Sequence, residues 1–270
     1  MPLYIVATPI GNLSEISERA LDTLRAADYI ACEDTRRSGL LLSRFGISKP
    51  LIKYEAHNEA GGTARLIELL IGGAAVALIS DAGMPLISDP GSRLISACIE
   101  QNIPYTVISG PCACINALVL SGLDARSFCM LGFLPERKKD RDAYMDMFKD
   151  LQATLILYCP PHDLDDYLEY LHTVLGPRKF SLIREITKLH EQVAFGVLGQ
   201  PLDVTRKGEM VLVVEGAPEP PNDLLSLTIP QHVGQLIAQG LTKNDAIKRA
   251  AKERGIHKNE VYKEVINDKL

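Results

Sequence analysis

Residues 75–91 read A-V-A-L-I-S-D-A-G-M-P-L-I-S-D-P-G. The opening five are small or branched apolar residues. The twelve that follow, Ser80 to Gly91, hold two prolines, two glycines and two aspartates. A short apolar run closed by such a cluster reads as a buried strand ending in a rigid loop. The pattern over 92–101 then reads as a helix. Outward from this unit the same alternation recurs, with strand candidates at 3–8, 29–32, 51–54 and 105–109 and helical patterns at 14–27 and 63–71. Within 14–27, Ile16, Ala20, Leu21 and Leu24 form one apolar stripe, and Ser14 is the expected N-cap. Alternating strands and helices with near-continuous apolar strands predict an α/β fold whose sheet is mostly parallel and covered on both faces.

A second series starts near residue 125. Strands are expected at 128–133, 154–158, 180–184, 192–197 and 210–214, with helices at 140–151 and 164–175. Two adjacent strand patterns joined through glycine (Gly196, Gly199) suggest antiparallel pairing here. The break between the series falls at 121–124. After Gly216, A-P-E-P-P-N (217–222) can continue neither a helix nor a central strand and reads as a linker. Beyond it Thr242-x-x-Asp245 opens a helix, Gly255 ends it, and 258–266 forms the next, a helix-turn-helix-like hairpin. The expected division is an α/β domain over 1–121, a second over 122–217, a linker over 218–239 and a helical appendage over 240–270.

Composition narrows the class. At 270 residues and 46% hydrophobic, the chain has ample apolar side chain for a core, which excludes disorder as its dominant state. The charge-free run 69–80 falls short of the ~18 apolar residues of a spanning helix. The opening M-P-L-Y-I-V reads as a first strand, not a leader, so a soluble cytoplasmic protein without a membrane partner is expected. Six cysteines without a C-x-x-C pattern read as reduced thiols, and six histidines without H-E-x-x-H give no reason to expect a metal. The net charge is −5, yet residues 240–270 carry +3 and the remainder −8, a hint of an anionic partner for the tail.

Open α/β sheets bind ligands beyond the carboxyl ends of their strands, so the strand-end loops carry the chemistry. These are T-P-I-G-N-L (8–13), C-E-D-T-R (32–36), the 80–91 loop and S-G-P-C-A (109–113). None matches G-x-G-x-x-G or G-x-x-x-x-G-K-[ST], which argues against dinucleotide and P-loop nucleotide sites. Their glycines and prolines suit close approach of a ligand to rigid backbone. The second half repeats the arrangement with Y-C-P-P-H (158–162) and R-E-I-T-K-L-H-E (184–191).

Together with G-F-L-P (132–135) and K-G-E-M-V-L-V-V-E-G (207–216), these stretches resemble the ribosomal RNA ribose methyltransferase branch of the tetrapyrrole methylase family, from about residue 2 to 217. The resemblance implies two α/β domains with S-adenosylmethionine (SAM) in the cleft between them, and a homodimer. It also implies 2′-O-methylation of a cytidine in small-subunit ribosomal RNA, with the RNA or the small subunit as partner. The tail is similar to a helix-turn-helix appendage of some members. Tetrapyrrole-methylating relatives carry G-G-D-P where this chain has Asp81-Ala82-Gly83-Met84-Pro85, which speaks against a porphyrin or corrin substrate.

On that basis the cofactor-contact candidates are Pro9, Ser80, Asp81, Ala82, Pro85, Ser109, Gly110, Pro111 and Tyr158. Asp81 and Asp89 bracket their loop. Either carboxylate can serve the SAM ammonium or ribose hydroxyls, or cap the helix beginning near Ser92. A ribose hydroxyl is a weak nucleophile near neutral pH, so a base or nearby cation is needed; Asp34, Glu185 and Lys188 are the unranked catalytic candidates. Arg36, Arg137, Lys138 and Lys139 in the body, and Lys248 and Arg249 in the tail, are the RNA-binding candidates. Two alternatives stand beside this reading: methylation of a small molecule such as a tetrapyrrole, and a non-catalytic nucleic-acid-binding protein using the tail.

Overall fold

The computed structural model describes residues 2–219 and 223–267. It separates into two compact units, Met1–Ala217 and Pro218–Leu270. The larger unit opens with strands β1 (Leu3–Val6), β2 (Tyr29–Cys32), β3 (Leu51–Lys53), β4 (Val76–Leu78) and β5 (Tyr105–Ile108). They form one all-parallel sheet in the order β3-β2-β4-β1-β5. Alternation along each strand decides what covers which face. Leu3, Ile5, Ala31, Val76 and Leu78 pack against α3 (Glu59–Ile71) and α4 (Ser92–Glu100). Val6, Ile30, Cys32, Ala77 and Ile79 pack against α1 (Glu18–Ala26) and α2 (Thr35–Arg44).

Two local expectations are corrected. Ser14 does not cap α1: residues 13–15 form a separate 3-10 turn capped by Asn12, Ile16 is extended, and the Ser17 hydroxyl accepts from the Ala20 N–H at 3.1 Å. Asp89 does not cap α4, because Glu59 Oε1 reaches across from α3 to accept from the N–H groups of Gly91 (3.0 Å) and Arg93 (3.3 Å).

Helix α5 (Ala113–Ser121), directly after the Ser109-Gly110-Pro111 turn, joins the halves. Its sequence A-C-I-N-A-L-V-L-S is apolar nearly all round and so shows no stripe. Cys114, Ala117 and Leu118 pack on Ile156, Ile183, Val211 and Val213 of a second sheet. That sheet comprises β6 (Phe128–Phe133), β7 (Thr154–Cys159), β8 (Lys179–Arg184), β9 (Gln192–Val197) and β10 (Met210–Val214), ordered β6-β7-β10-β8-β9. Only β6–β7 is parallel; the other pairs are antiparallel, but the strands joined through Gly196 and Gly199, β9 and β10, are not neighbours, since β9 pairs with β8. The opposite face, with Leu155, Leu157, Leu182 and Leu212, is covered by α6 (Lys138–Asp146) and α7 (Leu164–Leu175).

The smaller unit holds α8 (Ile229–Ala238), α9 (Lys243–Arg254) and α10 (Lys258–Asn267) around Val233, Leu236, Ile247, Ala250, Val261 and Val265. The expected linker over 218–239 is therefore corrected: Thr228 and Gln231 form a capping box, and α8 supplies part of the core. Residues 220–222 of that segment lie outside the described residues. Thr242 caps α9 and Gly255 closes it in the left-handed region, as the sequence predicts. Buried His232 accepts at Nδ1 from Arg254 Nε (3.1 Å), so its Nε2 proton faces Glu253 Oε2 at 2.9 Å.

Candidate active site

In the first sheet β1 and β4 are neighbours whose outgoing connections cover opposite faces. Their carboxyl ends thus form a switch point, where diverging loops leave a crevice. Thr8 and Gly83 exchange backbone bonds there (2.9 and 3.1 Å), and Thr8 Oγ1 donates to the Ser80 carbonyl at 3.3 Å. Ser80 is buried, and its hydroxyl lies 3.3 Å from the carbonyls of both Ala82 and Gly83. The loop beyond is held in an uncommon path: Leu86 (φ 72°) and Ser88 (φ 66°) both occupy the left-handed region. Such residues cost of order 1–3 kcal/mol each and persist only where surrounding structure enforces them.

The second half closes the crevice from the other side. Gly11 packs against the 186–188 turn so tightly that an added Cβ would lie 2.5 Å from Lys188 Cγ, and the Asn12 N–H donates to Thr187 Oγ1 at 3.1 Å. Glu185 (φ 52°) and Thr187 (φ 65°) are again left-handed. Four of the five described non-glycine residues with positive φ therefore flank this one crevice. Arg184 anchors the turn through the carbonyls of Lys207 (2.8 Å) and His190 (3.0 Å). The resulting cleft encloses about 300 Å³. Ile10, Ala82 and Ala113 form one wall, Ile183, Ile186 and Val211 another, Phe133 and Tyr158 an aromatic side, and Asp89 and Glu209 its acidic groups.

The charged residues divide by environment. Lys188 Nζ donates to Glu185 Oε1 and Glu209 Oε2, both at 2.9 Å, and Glu185 Oε1 also accepts from the Glu209 N–H at 2.8 Å. Partial burial works against the Lys188 charge, but the two carboxylates outweigh it and hold its pKa above the ordinary lysine value. The Lys188 ammonium, then the Glu209 N–H, lower the Glu185 carboxyl. Asp89 behaves oppositely: burial first, then the Glu33 and Asp81 carboxylates, push it up to about 6.

Of the expected cofactor contacts, Ala82 and Tyr158 line this cleft. Pro9 and Pro85 are buried, Ser80 braces its loop, and Ser109, Gly110 and Pro111 precede α5 without forming the lining. Asp81 also lies outside the lining. Its Oδ1 accepts from the Asp34 N–H (3.2 Å) and its Oδ2 pairs with Arg37 at 3.1 Å. Among the catalytic candidates, Glu185 and Lys188 come together at the rim. Asp34 instead caps α2 by accepting from the N–H groups of Arg36 and Arg37, which lower its carboxyl. Arg36 is exposed on the first turn of α2, and Arg137, Lys138 and Lys139 begin α6. Lys248 and Arg249 lie on α9, paired with Asp245 (3.3 Å) and Glu253 (2.7 Å). The sequence reading left out Phe133 and Glu209, although both sit in quoted motifs, and weighed Asp89 only as a ligand contact or cap.

Comparison with known proteins places this geometry. The profile of the Tetrapyrrole (Corrin/Porphyrin) Methylases matches residues 2–202. This chain belongs to the tetrapyrrole methylase family. It is 44% identical to the Ribosomal RNA small subunit methyltransferase I of Halalkalibacterium halodurans, over 96% of this chain and 93% of that protein. It is also 44% identical to the protein of that name from Haemophilus influenzae, over 96% and 94% of the two chains. Among solved structures, diphthine synthase superposes with a TM-score of 0.61 at 16% identity, covering 79% of this chain and 89% of that one. That likeness shows the fold alone.

The methyl donor of this methylase is SAM. The cleft fits it: apolar walls of Ile10, Ala113 and Val211 suit an aromatic and thioether body, and Asp89 and Glu209 give a negative side for a cation. The G-G-D-P segment of tetrapyrrole-methylating relatives is replaced by a loop whose aspartate, Asp81, is tied to Arg37. The expected interdomain position of the cofactor corresponds to a cleft with one wall from each sheet.

Proposed function

We propose that this chain is a SAM-dependent RNA 2′-O-methyltransferase acting on the ribose of a cytidine in small-subunit ribosomal RNA. The observation that carries this reading is the cleft between the sheets. There a near-neutral carboxylate, Asp89, lines the cleft, and a fixed cation, Lys188, is bound to the lining residue Glu209. The names of near full-length relatives support the substrate. SAM supplies the electrophilic methyl when bound. The chain's task is to hold a ribose hydroxyl in line with it and to take the proton away.

Asp89 is our assignment for the proton acceptor, because a base with a pKa close to working pH combines availability with driving force. Lys188 is held protonated and so serves as a cation facing the developing negative charge on the ribose oxygen. Glu185 and Glu209 position that ammonium. Asp34 organises the start of α2 and the Asp81 contact. Arg36 and the start of α6 at Arg137, Lys138 and Lys139 provide exposed cations for flanking phosphates.

A second copy of the chain is part of this proposal. Helix α5 is apolar nearly all round, and Ile115, Val119 (72% exposed) and Leu120 face outward, as do Tyr105 and Val107 of edge strand β5. Faces of this kind are covered in oligomers. Sedimentation at micromolar concentration should give twice the mass of one chain, and a monomer would remove the dimer from the reading. A ribosomal substrate supports a cytoplasmic location for the enzyme. No helix among the described residues is long and apolar enough to cross a membrane.

The deciding experiment supplies labelled SAM and small ribosomal subunits lacking the modification. Label should appear on a cytidine 2′-oxygen, mapped by mass spectrometry of nuclease fragments. Label transferred to a tetrapyrrole and not to RNA would overturn the proposal in favour of the small-molecule reading. SAM bound without any transfer would favour a binding protein.

A further inference from the structure

Strand β6 contains an irregularity that the chemistry above does not use. Its pairing with β7 runs Phe128↔Thr154, Cys129↔Leu155 and Met130↔Ile156, then skips a residue to Gly132↔Leu157 and Phe133↔Tyr158. Leu131 is the extra residue of a β-bulge. Alternation fixes what this does. Cys129 and Leu131 point into the core under α6 and α7, whereas Met130 points to the face shared with α5. Without the bulge Phe133 would follow Cys129 and Leu131 into the α6–α7 core. With it, Phe133 shares the side of Met130, Ile156 and Tyr158 and lines the cleft. Gly132 makes the turn in the left-handed region at φ +69°, with Ser88 Oγ 3.4 Å from where a Cβ would stand.

The consequence is a phenylalanine taken out of an apolar core and set, 57% exposed, at the mouth of a cleft. Its ring lies 5.3 Å from that of Tyr158 at 49°, a tilted contact. Burying a side chain of this size is worth roughly 1.5–3 kcal/mol, so the bulge forgoes core stability. Four residues on, the chain reaches Arg137, Lys138 and Lys139, all exposed. Four residues span at most about 14 Å, the scale of one or two nucleotides.

An exposed aromatic face beside a short run of cations is the pattern by which proteins hold splayed, unpaired nucleotides: the base stacks and the phosphates are neutralised. We propose that Phe133 is the platform on which the base of the nucleotide undergoing methylation stacks, with Arg137, Lys138 and Lys139 taking its flanking phosphates. This inference rests on the RNA methyl-transfer reading and adds the recognition of an extruded base to it. The bulge thereby exchanges core packing for substrate positioning.

The test uses the full-length chain with unmodified small ribosomal subunits, and compares Phe133→Ala, Phe133→Leu and Phe133→Trp. Leu keeps apolar volume and loses the ring plane; Trp keeps the plane. Stacking predicts that Ala and Leu both raise KM for the subunit about tenfold to a hundredfold. Trp should stay within about threefold of the parent, and SAM affinity by calorimetry should not change in any variant. A Leu variant equal to the parent would show that Phe133 only fills space. An Ala variant with weakened SAM binding would show that the ring serves the cofactor. Either result ends this inference and leaves the methyl-transfer reading intact. A parent enzyme that modifies no ribosomal RNA ends both.

Discussion

The strand-end loops of the two halves carry similar inventories of charge and use them differently. In the first half, Asp34 caps α2, Asp81 is tied to Arg37 and the Asp34 N–H, and Glu59 caps α4 from a neighbouring helix. These carboxylates are occupied in holding loops. In the second half, Glu185, Lys188 and Glu209 gather at the rim of the cleft, beside a turn that holds two left-handed residues, Glu185 and Thr187. The exception in the first half is Asp89, which lines the cleft. A carboxylate that accepts two N–H bonds at a helix start is stabilised as an ion and is a weak base. A half-buried one among like charges is the reverse. Sequence position at a strand end does not separate the two cases; the partner atoms do.

The sharpest break in that comparison is Asp89→Asn. Loss of a positioned base should reduce methyl transfer by about 10²–10⁴-fold. The parent rate should fall as pH drops through about 6, where the carboxylate takes up a proton, and the variant should lose that limb. Stability should move the other way. The folded pKa lies above the unfolded value of about 3.9. The protonated form therefore lends stability that is fully present below that value and lost as pH rises through about 6. At pH 7.5 the variant should melt at a higher temperature than the parent. Slower turnover with a lower melting point at pH 7.5 would mean damage to the loop and not loss of a base.

The second test addresses how the halves are joined. Gly11→Ala places a methyl 2.5 Å from Lys188 Cγ, 2.8 Å from Thr187 Oγ1 and 3.2 Å from the Ile186 carbonyl. Overpacking of this kind costs about 1–3 kcal/mol, and here it pushes on the Lys188 turn, so turnover and the urea midpoint should both fall. Gly39→Ala, inside α2 where the nearest atom is Leu51 Cδ1 at 3.8 Å, is the matched control. It should be neutral or stabilising by up to about 1 kcal/mol. Equal behaviour of the two variants would dissolve the claim that the 9–12 and 186–188 loops are tightly docked.

Asp81→Ala should do less than either. The Arg37 side chain of the pair is 73% exposed, and such pairs contribute about 0–1 kcal/mol. Removing the acceptor for the Asp34 N–H adds a similar amount. SAM affinity should stay within about twofold by calorimetry; a tenfold loss would return Asp81 to the cofactor and undo the contrast with Asp89.

The strands were legible because apolar runs closed by glycine, proline and aspartate have few other readings. The 80–91 loop and the Thr242 and Gly255 boundaries of α9 follow from local residues. Helix α2 did not show. T-R-R-S opens it with charges that read as loop. Helix α8 was hidden behind the prolines that precede it. At the site, Glu185 and Lys188 were visible as a charged motif. The role of Phe133 was not, since a one-residue bulge sets the side to which it points and nothing in F-C-M-L-G-F beyond Gly132 marks it.

The smallest expected effect on turnover concerns the helical tail, which has its own core and caps and should be separable from methyl transfer. A chain ending at Ala217 should bind SAM as the full chain does. Its affinity for the small subunit should fall, and the slope of log affinity against log salt should flatten by about one for each phosphate contact removed. The pairs Lys248–Asp245 and Arg249–Glu253 already neutralise part of the α9 charge. Lys258 and Lys263, exposed on α10, should be the stronger contributors. Replacing both by alanine should therefore recover more of the truncation's slope change than replacing Lys248 and Arg249. A truncated protein with an unchanged slope and full methylation of subunits would reduce the tail to a packing element. The reverse ranking of the two double variants would move its RNA face from α10 to α9.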